Sequence, residues 1–193
     1  MSVLDTLITD RTQADVDLAR SLCINGQNMT AEELTAFLSS LKGMYNYTDW
    51  NRVESAVDYV ATELVQADTD LRAYAASMGV EWDSVFEVPY DPDDYSNLTI
   101  KTDWAESDIP LASQMQRYID NVNLILSAIP EASVFWIPNT MDGLTYEYAN
   151  NIEQVLIDVH TALGVVIAVR EGYIRSALAV NYSGEIYSGE GEA

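Results

Sequence analysis

Cys23 is the only cysteine and His160 the only histidine among 193 residues. No disulfide can close within the chain, no Cys/His zinc site can be assembled from one copy, and a histidine-dependent triad would have to use His160. That residue sits in Ile157-Asp158-Val159-His160-Thr161 and reads as a helix-surface histidine, while Cys23, between Leu22 and Ile24, reads as a small half-buried hydrophobe. Basic residues are scarce as well: nine lysines and arginines stand against 31 acids, for a net charge of −22. Such a surface repels phosphate, so nucleic acid is not an expected direct partner. The longest apolar run, 162–169, has eight residues, short of the roughly 18 to 20 that a membrane helix needs. No basic stretch followed by an apolar one marks the start as a secretory signal. These absences lead to the expectation of a soluble protein made in the cytosol, with no membrane partner. No P-loop, dinucleotide-binding glycine pattern, Gly-x-Ser-x-Gly elbow or His-Glu-x-x-His occurs, so no cofactor, metal or catalytic residue is assigned.

With 48% hydrophobic residues the chain is no disordered acidic tail. Its main signal is helical periodicity. From Trp50 onward, Val53, Val57, Val60, Leu64, Ala67, Leu71, Tyr74 and Met78 alternate steps of three and four, which predicts one long helix over about 49–78, with Thr48 as N-cap and Gly79 as its left-handed end. Two shorter helices precede it, one opened by Thr12 and Asp15 and stopped by Gly26, the other opened by Thr30 and Glu33 and stopped by Gly43. A fourth begins near Pro110 and stops at Pro130, and a fifth runs from Thr145 to Val169, beyond which a short extended or β arm is expected.

The predicted fold is therefore mainly α, a multi-helix bundle divided into an N-terminal helical segment 1–79, an aromatic-rich connector 80–109, a second helical segment 110–169 packing on the first, and a C-terminal extended arm 170–193. In the connector, Trp82, Phe86 and Trp104 are expected to dock onto a core. Asp91 and Asp93 have the spacing that opens a calcium loop, but no glycine and glutamate follow at the required offsets, so a solvated turn is expected there. Three segments also align with one another: Trp50-Asn51-Arg52-Val53, Met115-Gln116-Arg117-Tyr118 and Ala149-Asn150-Asn151-Ile152 place an amide or arginine between apolar residues at matching offsets, as a degenerate internal repeat would. Any two amphipathic helices share part of that pattern.

Twelve tyrosines and four tryptophans are the remaining surplus. Tyr45, Tyr47, Tyr90, Tyr95, Tyr146, Tyr148, Tyr182 and Tyr187 fall at helix starts or in connectors. They either staple loops to the bundle or contact a partner, and carbohydrate is a second partner class that such rings suit.

Several strings carry a resemblance. Thr9-Asp10-Arg11-Thr12-Gln13-Ala14-Asp15-Val16, Met44-Tyr45-Asn46-Tyr47-Thr48-Asp49-Trp50-Asn51-Arg52-Val53-Glu54, Ile109-Pro110-Leu111-Ala112-Ser113-Gln114-Met115-Gln116-Arg117-Tyr118, Leu144-Thr145-Tyr146-Glu147-Tyr148-Ala149-Asn150-Asn151-Ile152-Glu153 and Tyr182-Ser183-Gly184-Glu185 follow one another over nearly the whole chain. Together they resemble an uncharacterised family of virion-associated proteins from phages and prophages of Gram-positive bacteria. The resemblance implies a non-enzymatic structural protein of a tail tip, baseplate or fibre attachment, located in the virion, contacting other virion proteins and forming a homo-oligomer. The alternative from charge alone is an acidic phage protein that mimics DNA and inhibits a host nucleic-acid enzyme.

Overall fold

The chain, seen in a computed structural model, is described over residues 2–25, 28–32, 34, 42–82 and 90–188, with backbone alone for residues 25 and 179–188. Five helices and no strand occur among the described residues: α1 Gln13–Asn25, α2 Tyr47–Ser77, α3 Pro92–Ser96, α4 Ala112–Ala128 and α5 Tyr146–Ser188. Short 3-10 turns lie at Val3–Thr6 and Pro130–Ala132. The second predicted short helix, from Thr30 to Leu41, and the connector anchor Phe86 fall mostly or wholly outside the described residues.

The long helix forms where the three-four pattern places it, but it starts two residues earlier than expected. Asn46 is its N-cap: its side chain accepts from the Thr48 amide at 2.9 Å, and Asp49 returns the favour to the Asn46 amide at 2.8 Å. This reciprocal pair satisfies two amides that a lone Thr48 cap would leave unpaired. At the far end Gly79 has φ +69°, as the sequence predicts, and meets nothing within 4 Å of an added Cβ. Only backbone strain should therefore oppose substitution there. Gly79→Ala is expected to destabilise the protein by about 1 kcal/mol in denaturant unfolding. Gly164→Ala, inside α5 with equally open surroundings, should stabilise by up to about 1 kcal/mol.

α2, α4 and α5 pack on one another. Val53, Val57, Val60 and Leu64 of α2 meet Tyr118, Ile119, Val122 and Ile125 of α4 and Ile152, Leu156, Val159 and Leu163 of α5 in one core. The three helices run parallel. Their starts come together, since Arg52 reaches Glu153 and Arg117 reaches Glu54. The later turns of α2 and α5 come together too, since Leu71 and Ala75 cluster with Ile174, and those of α2 and α4 are bridged by the neighbouring rings of Tyr90, on Leu64, and Tyr95, on Leu124. Parallel neighbours need long return connections. The chain supplies them as residues 78–111 and 129–145, which carry it back to the starting end before each new helix. The first return is stapled by Tyr90, whose hydroxyl donates to the Leu64 carbonyl at 3.0 Å, and by Tyr95, which donates to the Leu124 carbonyl at 3.3 Å. Within it, Asp91 caps the short α3 through the Asp93 amide at 3.0 Å, so helix replaces the expected solvated turn.

Where an extended segment is predicted from residue 170, the backbone remains helical to Ser188. Ile167 and the fully buried Ile174 pack against Leu71, Ala75 and Val80, and this helical-period contact overrides the β preference of Val165-Val166-Ile167. Residues 189–193 lie outside the described set. Over Tyr146–Leu178 the helix is long and apolar enough, by length and composition, to cross a bilayer, with a mean hydropathy of 1.7 in its best window. Counting uninterrupted apolar residues misses this, because single polar residues break the run without lowering its average. Cys23 is exposed rather than half-buried, because α1 turns that flank to solvent.

Candidate functional site

The starting end of the bundle is built from one device used twice and, in part, a third time. In α2, α4 and α5 the fifth residue is an amide: Asn51, Gln116 and Asn150. Each holds the backbone of an extended strap. Asn51 accepts from the Trp104 amide at 2.7 Å and donates to the Trp104 carbonyl at 2.8 Å. Asn150 does the same to Arg11, at 3.0 and 2.9 Å. Gln116 donates to the Asn139 carbonyl at 3.1 Å. Three residues after the amide, α2 and α5 carry a buried glutamate that takes a second amide of the same strap: Glu54 accepts from Lys101, at 3.3 Å, and Glu153 from Ile8, at 2.6 Å. An asparagine side chain presents one donor and one acceptor, so it matches the two backbone groups of a residue in extended conformation. Asn51→Ala and Asn150→Ala should each cost about 1 to 3 kcal/mol in denaturant unfolding, because each leaves a partly buried backbone pair without partners.

Arginines link the clasps in a chain from α4 to α2 to α5. Arg52 of α2 reaches Glu153 of α5 at 2.9 and 3.1 Å, and Arg117 of α4 reaches Glu54 of α2 at 2.6 and 3.4 Å. Arg117 also donates to the Thr99 carbonyl. The third position departs from the rule: Ile119 stands where a glutamate would complete α4, and Asn151 of α5 replaces the arginine and donates to the Trp136 carbonyl at 2.9 Å. The aligned segments of the sequence thus place like groups alike: the amide recurs in α2, α4 and α5, the glutamate in α2 and α5, and the arginine in α2 and α4.

The densest part is a neutral cluster of two arginines and two carboxylates. Arg11 donates to Asp49 at 2.9 Å, Glu153 at 2.6 Å, and the carbonyls of Lys42 at 3.1 Å and Ile8 at 2.5 Å, with its guanidinium 5.2 Å from the centre of the Tyr45 ring. Arg52 pairs with both Asp49 and Glu153. Burial opposes its charge, but the two carboxylates outweigh burial and raise its pKa further. Burial holds the Glu54 carboxyl above its ordinary range, against the pull of Arg117 and the Lys101 amide. Tyr45 and Tyr118 share a hydroxyl contact of 2.5 Å, and burial raises the pKa of both. These carboxylates are committed to arginines and strap amides, and no cluster of three metal-ligating side chains occurs among the described residues.

On this framework the straps expose apolar side chains. Val134 is 94% and Trp136 63% exposed, with Phe135 between them also exposed. Trp136 meets Tyr148 edge-on at 5.8 Å between ring centres, and Asn151 fixes its carbonyl. Ile109 and Leu111, beside the start of α4, are exposed at the same end. Three consecutive exposed apolar residues on a held backbone suit insertion into a protein pocket, and an exposed indole also suits stacking on a sugar ring.

The expected contact residues divide. Tyr90 and Tyr95 are buried and take the staple role of the two expected for them, each giving its hydroxyl to a helix carbonyl. Tyr45 is half-buried and committed to Tyr118 and Arg11. Tyr47, Tyr146 and Tyr148 are partly exposed. The side chains of Tyr182 and Tyr187 lie outside the described residues. Reading tyrosines alone overlooks Phe135 and Trp136. Their signal is Val134-Phe135-Trp136-Ile137, a short apolar run flanked by Pro130 and Pro138 with no helical period to bury it. In comparisons with known proteins, no family model, no curated protein and no solved structure matches the chain.

Proposed function

We propose that the chain is a non-enzymatic structural protein of a phage particle, a tail-tip, baseplate or fibre-attachment component that docks on other virion proteins in several copies. The observation that supports this reading best is the exposed Val134-Phe135-Trp136 strap, held by Asn151 and Gln116 on a bundle whose buried carboxylates are used for internal pairing. A strap fixed before binding loses little conformational entropy on docking, so its apolar area converts to affinity with less loss than a free loop would suffer. Mass spectrometry of purified particles tests the assignment. The chain should be found in virions, and Trp136→Ala should lower its incorporation while leaving the circular dichroism spectrum unchanged; absence of the protein from particles ends this reading. The charge of −22 motivates the rival, a mimic of DNA. Recovery of a host nucleic-acid enzyme in a pull-down, from a phage whose particles lack the chain, would put the mimic in its place.

A further inference from the structure

Beside the start of α2, a cleft of about 390 Å³ opens between residues 44–50 and residues 105–108 of the first return. That volume falls in the range of small-molecule sites, roughly 300 to 1,000 Å³. Both walls are held. The capping pair of Asn46 and Asp49 fixes one. On the other, Asn51 clasps Trp104, and the turn that follows closes twice: the Ala105 amide donates to Asp108 Oδ2 at 3.1 Å, and the Asp108 amide donates to the Ala105 carbonyl at 3.0 Å. A site built in this way exists before its ligand arrives, so little order is lost on binding.

The lining combines rings with unmet polar groups. Tyr45, Tyr47 and Trp50 supply aromatic surface, and Glu106 and Asp108 supply carboxylates. Asp108 commits one oxygen only: Oδ2 takes the Ala105 amide and lies 3.6 Å from the Lys101 ammonium. Among the described residues, its Oδ1, the Glu106 carboxylate and the Tyr47 hydroxyl have no partner.

We propose that this cleft binds a neutral saccharide. Charge narrows the class. No lysine or arginine is among the described residues that line it, and a chain of −22 repels an acidic ligand. An organic cation would meet two cations already in place, Lys101 beside Asp108 and the Arg11 guanidinium 5.2 Å from the centre of the Tyr45 ring. A neutral sugar meets neither penalty. Its hydroxyls both donate and accept, so they suit Glu106, Asp108 Oδ1 and the Tyr47 hydroxyl together, and a hydrogen bond to a carboxylate is of the stronger, charge-assisted kind. Its C–H face packs on an aromatic ring. The site goes beyond the virion reading and needs nothing from it: absence from particles would leave the cleft standing, and an empty cleft would leave the virion role standing.

A printed array of neutral and acidic saccharides, probed with the full chain, is the first measurement, and isothermal titration calorimetry with the strongest neutral hit is the second. At least one neutral saccharide should bind, with an affinity that does not change as the salt concentration is raised, because no charge is neutralised on binding. Glu106→Ala and Tyr47→Ala should each weaken binding about tenfold, with the far-ultraviolet circular dichroism spectrum unchanged. Glu106 is exposed, so its removal disturbs no packing. Trp136→Ala should bind as the wild type does. An array with no neutral hit, binding confined to acidic saccharides, or full affinity retained in Glu106→Ala would each overturn the proposal. So would loss of binding in Trp136→Ala, which would move the sugar to the exposed strap. Binding of tetramethylammonium chloride that is lost in Glu106→Ala would overturn it as well, because the cleft would then be a cation site.

Discussion

Replacing Glu153 by alanine should lower the melting temperature by roughly 10 °C, the largest single-residue effect expected in this protein. The glutamate is fully buried and accepts from Arg11, Arg52 and the Ile8 amide. Its removal leaves two guanidinium groups sharing Asp49 alone, inside a site that water reaches poorly. Breaking a buried pair from one side costs about 3 to 5 kcal/mol, mainly through the stranded charge, and for a domain of this size each kcal/mol moves the midpoint by about 2 to 4 °C. The double variant Arg11→Met, Glu153→Leu should recover part of the loss, since removing both partners strands less charge. Differential scanning calorimetry on the three proteins checks this. A Glu153→Ala midpoint within about 2 °C of the wild type would mean that the cluster contributes almost nothing net.

Alkaline pH should unfold the protein through its buried phenols. Tyr90 is pushed up to about 12 by burial and by nearby Asp68, and burial likewise raises Tyr45 and Tyr118, which share one hydroxyl contact. A group whose folded pKa lies above its unfolded value stabilises the fold fully below the unfolded value, near 10 for tyrosine, and the contribution is lost as pH rises through the folded value. For Tyr90 the shift is worth on the order of 2 to 3 kcal/mol, lost between about pH 10 and 12. The Tyr45–Tyr118 pair adds to the loss across the same rise. Tyrosinate absorbance at 295 nm should therefore climb steeply in step with loss of helical ellipticity. In Tyr118→Phe the steep step should shrink and move to higher pH, at the cost of some stability at neutral pH. A gradual titration of all tyrosines near pH 10 with the helices intact would contradict this account.

Much of the bundle was legible because its helices are amphipathic and well punctuated. The three-four run from Val53 to Met78, the stop at Gly79 and the break at Pro130 each reflect a local physical rule. Direction was less legible. Long connections can join antiparallel or parallel helices, and for α2 and α5 the pairing of Arg52 with Glu153 at one end and of Leu71 with Ile174 at the other decides between them. The repeat could be seen in sequence as matched offsets, but its meaning lay in the amides, whose partners are backbone groups of distant straps and leave no complementary side chain to find. Tyrosine was ambiguous for a chemical reason: the same ring can stay partly exposed, like that of Tyr148 against Trp136, or hide with only its hydroxyl engaged, like Tyr90. Val165-Val166-Ile167 reads equally as helix or strand in sequence, because β-branched residues prefer strands only where nothing else selects the backbone, and α2 offers Ile167 and Ile174 a helical partner.

The clasp between Arg11 and Glu153 spans 142 positions of sequence, and the one between Ile8 and Glu153 spans 145. On a ribosome residues 8–11 are thus exposed long before the carboxylate that receives them has been synthesised. They can settle only after α5 forms, and closing so large a loop late makes assembly slow compared with bundles that join neighbours by short turns. Until then Arg11 stays in water, so the growing chain waits on α5 to lock residues 8–11 in place.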